Sequence, residues 1–263
     1  MIILKSADEI EAMARAGRLV VETLGAIGEG IAPGVTTAEL DELAEDFIRS
    51  HGGVPTFKGY RGFPRSICAS PNSMVVHGIP GSYRLEEGDI MSIDVGVTLD
   101  GFVGDSAYTF PVGEIDAEAQ RLLDVCQAAL AAGIAEARPE NHVGDISAAV
   151  QVTTESAGFS VVRALVGHGV GRSMHEEPQV PNFGEPGRGP KLAPGMTLAI
   201  EPMITAGASE VVLADDRWSI STADGSLAAH FEHTVAVTEG GPRILTDVPV
   251  GSGRGMPRPY EIA

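Results

Sequence analysis

Two aspartates stand in a segment whose letters predict a β-hairpin, MSIDVGVTLDGFVGDSAYTF, which covers residues 91 to 110. An Asp-Gly pair at its centre is typical of a two-residue loop, and this register places Asp105 opposite Gly96. Asp94 and Asp105 then project from one face as diagonal neighbours, with Cα atoms about 7–8 Å apart. Two convergent carboxylates repel each other unless a proton or a cation lies between them. The pattern therefore indicates either a cation site or a sheet with one solvated face.

A later segment, LAPGMTLAIEPM, resembles LEEGDIMSIDVG from the hairpin and places Glu201 where the first copy has Asp94. The segment HFEHTVAV follows, and we expect it to place Glu232 where the first copy has Asp105. Helical patterns precede the strands in both halves, so the sequence predicts a pseudo-twofold duplication of helices and antiparallel strands. If the two halves meet face to face, the four carboxylates share one cavity.

Four clustered carboxylates cannot all stay ionised without bound cations. Two divalent metal ions about 3.5–4 Å apart would neutralise them and would activate a water molecule for hydrolysis. Oxygen donors together with one imidazole suit Mn, Fe, Co or Zn. We therefore expect two such ions as the cofactor.

Three histidines stand in contexts that favour a role at this site. His168 and His175 lie in GHGVGRSMHEEPQVPNF, whose glycines predict irregular backbone close to a ligand. The segment lacks the HExxH spacing of helical zinc peptidases. His77 lies in VVHGIP. Three other histidines have no such context, and we expect them to be structural or exposed: His51, His142 and His230.

The composition indicates a soluble globular protein, because 43% of the 263 residues are hydrophobic and 21% are charged. The net charge of −18, from 36 acidic residues against 18 Lys and Arg, argues against binding nucleic acid or an anionic membrane. Cys68 and Cys126 are too far apart for a CxxC motif, and free thiols fit a cytoplasmic protein. The chain shows no signal-peptide pattern and no apolar run long enough to span a membrane.

Capping boxes that begin at Ser6 and Thr36 predict the starts of two helices in the first half. In the second half we expect helices over about residues 116–137 and 144–157, followed by one strand, SVVRALVG. The first Gly/Pro linker, EGIAPG at residues 29–34, is short, so we expect one catalytic domain with an internal dyad and a Gly/Pro-rich tail. The expected bounds are 1–250 for the domain, 1–112 and 113–250 for its halves, and 251–263 for the tail.

Five motifs become highly specific when they occur in one order: VVHGIP, IDVGVTLDGFVGD, GHGVGRSMHEEPQVPNFG, MTLAIEPM and FEHTVAV. In this order they resemble type I methionine aminopeptidases, and the resemblance extends from about Ile2 to Thr246. It implies an α+β pita-bread fold, in which the duplicated helices and strands surround a central dinuclear metal site.

The resemblance also implies a role for each candidate metal ligand. Asp94 would chelate one metal ion, and His168 and Glu201 would bind the other. Asp105 and Glu232 would bridge the two ions. Each carboxylate of the predicted cluster would then be a metal ligand.

Catalysis, by the same resemblance, would use Glu201 as a proton shuttle together with His77 and His175, which would also contact the substrate. Six residues would line an apolar pocket for the methionine side chain: Phe57, Tyr60, Phe63, Cys68, Met174 and Trp218. This chain departs from the commonest bacterial pattern at Phe57 and Val76, where cysteine is frequent. Neither position is a ligand, so the departure concerns inhibitor sensitivity more than activity.

The implied enzyme is a hydrolase that removes the N-terminal methionine from newly made proteins and peptides and prefers a small second residue. Its partners would be nascent polypeptides with an N-terminal Met. No zinc-finger or SH3-binding segment is visible before the catalytic motifs, so we expect only transient contact with the ribosome. We also expect a cytoplasmic monomer that binds neither nucleic acid nor membrane.

Two alternatives share the same fold. Proline-directed peptidases usually have a large N-terminal domain and an RIED-like context at the last ligand, whereas this chain has FEHT. Non-catalytic pita-bread binding modules lose metal ligands, and none of the five is lost here. Both alternatives therefore rank below the aminopeptidase.

Overall fold

The first two helices begin at the capping boxes of the sequence. In the computed structural model, which describes residues 1–247, the Ser6 hydroxyl accepts from the Glu9 amide and the Glu9 carboxylate accepts from the Ser6 amide. Thr36 and Glu39 form the same reciprocal pair, so both predicted helix starts are confirmed. The helices of the described chain are α1 (Ala7–Gly30), α2 (Thr37–Ser50), α3 (Ala117–Ala135) and α4 (Val143–Ser156), with a 3₁₀ turn at Tyr60–Gly62.

Fifteen short and long strands alternate with these helices in the described part of the chain. They are β1 (Val54–Pro55), β2 (Cys68–Pro71), β3 (Met74–Val76), β4 (Ile90–Leu99), β5 (Phe102–Pro111), β6 (Ser160–Val161), β7 (Val166–Gly169), β8 (Glu176–Pro181), β9 (Thr197–Ile200), β10 (Met203–Thr205), β11 (Val211–Leu213), β12 (Ile220–Thr222), β13 (Ala228–His230), β14 (His233–Thr238) and β15 (Gly241–Ile244). The predicted tail, residues 251–263, and the last three residues of the predicted domain lie outside the described residues.

The long hairpin of the first half is formed by β4 and β5, as the Asp-Gly pair predicts. Asp100 and Gly101 have φ values of 52° and 78°, the left-handed conformation that a type I′ turn requires at both central positions. The ladder keeps the predicted register along both strands and includes Asp105 opposite Gly96 and Asp94 opposite Ala107. The predicted diagonal relation of the two aspartates is therefore confirmed.

The second half repeats this arrangement at the predicted offset, since β4 begins at Ile90 and β9 begins at Thr197. The strand prediction for SVVRALVG is wrong in one respect, because the chain forms two strands there, β6 and β7. β6 pairs with β10, whereas β7 pairs with β8 and β9 in a different sheet. Residues 162–165 cross between the two sheets and therefore cannot continue a single strand.

A common register joins β9 to β14 and β10 to β13. Within it Glu201 faces Glu232, and Met203 faces His230. In the first half, the pair that corresponds to Met203 and His230 is Gly96 and Asp105. Our expectation that Glu232 takes the place of Asp105 is therefore wrong, because His230 occupies the equivalent position and Glu232 lies two residues beyond it.

Two apolar cores lie on either side of the sheets, one in each half. The first half buries Leu24 and Ile27 of α1 against Ile93 of β4, and the second buries Leu122 of α3 against Leu198 of β9. Each fully buried aliphatic side chain contributes about 1.5–3 kcal/mol to stability. Within the described chain, no helix combines the length and the apolar content that a membrane crossing needs. We propose that residues 1–112 and 113–250 are the two halves of one domain.

The halves meet where β5 lies antiparallel to residues 230–234. The Glu232 amide donates to the Ala107 carbonyl over 3.0 Å, and the Thr234 hydroxyl donates to the Asp105 carbonyl over 2.8 Å. Side-chain hydroxyls thus replace part of a backbone ladder along this seam. Because of these bonds, acidic side chains from opposite halves lie next to each other.

Candidate active site

A cavity of about 270 Å³ lies beside the seam between the halves. Every residue that the sequence analysis assigned to the site lines this cavity, so the fold brings all of them together. The polar wall consists of His77, Asp94, Asp105, His168, His175, Glu201 and Glu232. The apolar wall consists of Phe57, Tyr60, Phe63, Cys68, Met174 and Trp218.

The four carboxylates reach the cavity from four different strand segments. Asp94 and Asp105 project from β4 and β5, while Glu201 and Glu232 stand at the breaks after β9 and after β13. Pro202 has no amide to donate, which helps to interrupt the ladder beside Glu201. Oδ1 of Asp94, Oδ1 of Asp105 and Oε1 of Glu232 are buried without a hydrogen-bond partner. Buried carboxylate oxygens without donors are costly, so this arrangement favours a bound cation.

Burial raises the pKa of all four carboxyl groups, to about 8 for Glu201. Repulsion adds to this effect, since Asp105 raises the pKa of both Asp94 and Glu232. The cluster therefore retains protons near neutral pH when no cation is bound. A divalent cation at the same place would replace those protons and remove the repulsion.

His168 faces this cluster from β7. Its Nε2 lies 3.6 Å from Oδ2 of Asp105 and 3.6 Å from Oε1 of Glu201, while its Nδ1 lies 2.9 Å from the Gly169 carbonyl oxygen. Burial lowers the pKa of His168 to about 4, so the imidazole is neutral at pH 7. A neutral ring that donates Nδ1–H to a carbonyl presents the Nε2 lone pair to the carboxylates, as a metal-binding histidine does.

The donor set fits a metal centre. Atoms of Asp105, His168 and Glu232 lie within 4.8 Å of one another, so a single ion could contact all three. The distances of 3.6 Å from Nε2 of His168 to Asp105 and to Glu201 are too long for hydrogen bonds and leave room for a cation. Carboxylate oxygens with one imidazole suit Mn, Fe, Co or Zn.

His175 belongs to the polar wall and lies next to the apolar wall. Its Nδ1 lies 2.9 Å from the hydroxyl oxygen of Tyr60, and its ring centroid lies 4.2 Å from that of His168. Burial lowers the pKa of His175, and the nearby Arg61 lowers it further. The imidazole is therefore neutral at pH 7 and is fixed in orientation by Tyr60.

His77 enters the cavity from a strained turn after β3. Its φ of 59° is in the left-handed region, which costs a non-glycine residue about 1–3 kcal/mol. The following Gly78 packs against β2, because a Cβ there would lie 2.1 Å from the Ala69 carbonyl oxygen. Burial lowers the pKa of His77 to about 4. A half-buried, neutral histidine held at this energetic cost is typical of a functional site.

His230 is a member of the site that sequence reasoning assigned elsewhere. Its side chain is 2% exposed, and its Nε2 has no hydrogen-bond partner and lies 3.6 Å from Oε2 of Glu201. The only sign of this position in the sequence was the spacing of His230, which lies two residues before Glu232 in a predicted strand. Such a spacing places both side chains on one face of the strand. His51 is exposed after α2 and His142 is half-buried before α4, which fits the expectation of exposed or structural positions.

The apolar wall is largely buried and lies next to the carboxylates. Phe57, Phe63, Cys68 and Met174 belong to one buried cluster, and the edge of the Phe63 ring packs against Trp218 with centroids 5.1 Å apart. Burial and the neighbouring Asp94 raise the pKa of the Cys68 thiol, so it is neutral. Aromatic rings and sulfur atoms provide the polarisable surface that a thioether side chain packs against well.

Three proteins of known name are similar to this chain over nearly its whole length. Methionine aminopeptidase from Clostridium perfringens is 54% identical over 94% of this chain and 99% of its own length. Methionine aminopeptidase 1 from Bacillus subtilis is 51% identical over 94% and 100%. The crystal structure of the Rickettsia prowazekii methionine aminopeptidase has a TM-score of 0.92 at 42% identity and covers 94% of this chain and 100% of its own. The resemblance to type I methionine aminopeptidases and the pita-bread fold are thereby confirmed.

The fold is also similar to more distant structures. A prolidase from Pyrococcus furiosus has a TM-score of 0.78 at 22% identity, over 94% of this chain and 66% of its own, and this likeness concerns the fold alone. The model of metallopeptidase family M24 matches residues 11–239. This chain therefore belongs to metallopeptidase family M24.

Proposed function

We propose that this chain is a metal-dependent methionine aminopeptidase, which hydrolyses the first peptide bond of polypeptides that begin with Met. The observation that supports the proposal best is the single cavity in which an apolar wall adjoins four carboxylates and three histidines. The pocket has the chemistry to select a methionine side chain, and the polar wall has the chemistry to hydrolyse the adjoining amide. The relatives that match the full chain have this activity in their names.

We propose two divalent ions as the cofactor, chosen from Mn, Fe, Co and Zn. Asp94 would bind one ion, His168 and Glu201 would bind the other, and Asp105 and Glu232 would bridge them. When bound, such ions supply Lewis acidity for the scissile carbonyl and lower the pKa of a water molecule. The unpartnered oxygens of Asp94, Asp105 and Glu232 support this assignment.

His175 would stabilise the developing oxyanion. We propose that the Tyr60 hydroxyl donates to Nδ1, so that the neutral imidazole would carry its own proton on Nε2. That N–H would donate to the carbonyl oxygen of the substrate as negative charge builds up on it. His77, which also lines the cavity, would contact the peptide beyond the bond that is cleaved.

Glu201 would transfer the proton that the leaving amine requires. Its side chain is only 13% exposed, and burial raises its pKa to about 8 when no metal is bound. The carboxylate would accept a proton from water and deliver it to the amine nitrogen.

The geometry also explains removal of a single residue. The buried side chains of the apolar wall would enclose the first side chain of the substrate. The free α-amine of the substrate would bind a metal ion, whereas an internal peptide nitrogen has no available lone pair. We propose a preference for a small second residue, as the resemblance to type I methionine aminopeptidases implies.

The proposed partners are nascent polypeptides with an N-terminal Met in the cytoplasm. We propose that the protein acts as a monomer and that its contact with the ribosome is transient. The charge of −18 argues against a stable complex with ribosomal RNA. Nucleic acid and membrane are excluded from the proposal for the same reason.

Hydrolysis of three tripeptides tests the proposal: Met-Ala-Ser, Leu-Ala-Ser and Ala-Pro-Ser, each with metal-free protein and after titration with Mn, Co or Fe(II). We expect metal-dependent release of Met and little release of Leu or Ala. Cleavage before proline would instead assign the chain to the proline-directed peptidases. Bound metal by calorimetry without cleavage of any peptide would favour the non-catalytic binding module.

A further inference from the structure

A buried lysine contacts the back of the catalytic loop from the N-terminal segment. Lys5 precedes α1, and its Nζ lies 2.6 Å from Oε2 of Glu176, the first residue of β8. The two side chains are only 4% and 7% exposed. The ion pair of Arg15 and Asp100, by contrast, leaves those side chains 53% and 61% exposed. The structure therefore contains one ion pair that has been almost completely removed from water.

Both side chains of this buried ion pair make further hydrogen bonds. Nζ of Lys5 also donates to the Ile3 carbonyl over 3.1 Å, and Oε1 of Glu176 accepts from the Ser173 amide over 3.2 Å. The Lys5 backbone amide donates to the Gly195 carbonyl over 2.8 Å, just before β9. Buried charges are tolerated only with such a set of partners, and removing one charge leaves the other unpaired at a large cost.

The segment on the other side of the pair has no regular secondary structure. Residues 170–175 form neither helix nor strand, yet they include Met174 of the apolar wall and His175 of the polar wall. Their backbone packs directly on the lysine, because a Cβ at Gly171 would lie 2.5 Å from Cε of Lys5. The position of this loop therefore depends on a few tertiary contacts. One of them is the buried ion pair of Lys5 and Glu176.

Glu176 follows His175 immediately, so any movement of the Glu176 backbone also moves the imidazole. Without the ammonium group, the Glu176 carboxylate would be buried beside the loop without a counter-charge. It would then move toward water and take the loop with it. Both the oxyanion donor and the pocket wall would be displaced.

We propose that Lys5 is a positioning residue, which holds Met174 and His175 at the catalytic cavity through its buried ion pair with Glu176. The proposal rests on the proposed function, because it assigns the loop a part in hydrolysis. Lys5 contacts no group of the cavity and acts through Glu176. The first residues of the chain thus become part of the catalytic apparatus.

Three variants test this proposal: K5M, K5M/E176Q and the control K191M, which makes the same change at an exposed lysine. We expect kcat for Met-Ala-Ser to fall about 10- to 100-fold in K5M, as for a catalytic group displaced by about 1 Å. The neutral double variant leaves no unpaired charge, so it should recover stability. It still lacks the bond from Lys5 that fixes Glu176, so its kcat should stay lowered. K191M should match the wild type.

Hydrogen exchange of residues 171–176, measured well below the melting temperature, provides a readout that does not depend on activity. We expect faster exchange in K5M and in the double variant and no change in K191M. Wild-type kcat and wild-type exchange in the double variant would overturn the proposal. If the wild type itself releases no methionine, the proposed function fails, whereas the exchange result still decides whether Lys5 holds the loop.

Discussion

The hydroxyl oxygen of Tyr60 lies 2.9 Å from Nδ1 of His175, so a residue of the apolar wall orients an imidazole of the polar wall. Y60F removes this hydrogen bond and keeps the ring that lines the pocket. We expect kcat for Met-Ala-Ser to fall about tenfold, because one hydrogen bond contributes about 1 kcal/mol and the Nε2 proton is no longer fixed. KM should stay within about twofold, and steady-state kinetics at saturating metal would measure both.

Y83F is the matched control, since it also removes a tyrosine hydroxyl that is bonded to a protein group, in this case Asp89. It lies outside the cavity, and we expect it to retain wild-type kcat. An unchanged kcat in Y60F would show that His175 needs no support at Nδ1.

Asp105 is central to the carboxylate cluster, because it contacts Glu232 and lies 3.6 Å from Nε2 of His168. In D105N an amide replaces a charged ligand. We expect metal affinity and activity to fall by at least about 100-fold, since changes even to residues that merely support metal ligands cost 10- to 100-fold. Isothermal titration calorimetry with Mn would measure the affinity without relying on turnover.

D100N is the control for this change, because Asp100 is exposed in the hairpin turn, where asparagine is equally suited to the left-handed conformation. We expect its metal affinity to match that of the wild type. Equal affinities for D105N and D100N would mean that Asp105 is not a ligand.

The first half of the carboxylate cluster could be predicted because its register is determined locally. Asp100 and Gly101 form a two-residue loop, and such a loop allows only one alignment of its strands. The diagonal placement of Asp94 and Asp105 then follows from the two-residue period of a strand. Local chemistry was sufficient for this part of the site.

The second half could not be predicted in the same way, because no short loop connects its paired strands. Between Met203 and His230 the chain forms two further strands, and Pro202 interrupts the ladder. The register there depends on contacts across the seam, such as that of Glu232 with Ala107. For this reason our prediction from the sequence placed Glu232 at the position that His230 occupies, and it did not identify His230 as a neighbour of Glu201. The contact of Lys5 with Glu176 is equally long-range and has no local signal.

Trp218 closes the apolar wall by packing against the edge of Phe63. W218A would open this wall, so we expect KM for Met-Ala-Ser to rise about tenfold or more, in line with the 1–3 kcal/mol at stake in a hydrophobic pocket. The ratio of kcat/KM for Met-Ala-Ser over Leu-Ala-Ser should fall, because the wider pocket discriminates less by shape. Parallel kinetics with both peptides would measure this ratio.

F183A serves as the control for aromatic loss, since Phe183 is half-buried against Arg163 and does not line the cavity. This change should lower stability and leave the ratio of kcat/KM for Met-Ala-Ser over Leu-Ala-Ser unchanged. If W218A kept the wild-type ratio, Trp218 would have no part in selecting methionine.

The stability of the metal-free protein should fall as the pH rises between about 6.5 and 8. Burial raises the pKa of Glu201 to about 8, so the folded state retains a proton that the unfolded chain has already released at this pH. Since the unfolded state then binds fewer protons, the free energy of unfolding decreases with pH, by at most about 1.4 kcal/mol per unit for one proton. Urea denaturation of chelator-treated protein at several pH values would measure the slope.

The histidines do not account for this expected slope, because they act in the opposite direction. Burial lowers the pKa of His77 and His168 to about 4, so these groups favour the folded state as the pH rises toward about 6.5 and change little above it. E201Q should make the slope between about pH 6.5 and 8 less steep, whereas the exposed change E185Q should leave it as in the wild type. Saturating Mn should remove the slope, because cations take the place of the retained protons. A metal-free stability that rises with pH in this range would show that the cluster keeps no proton.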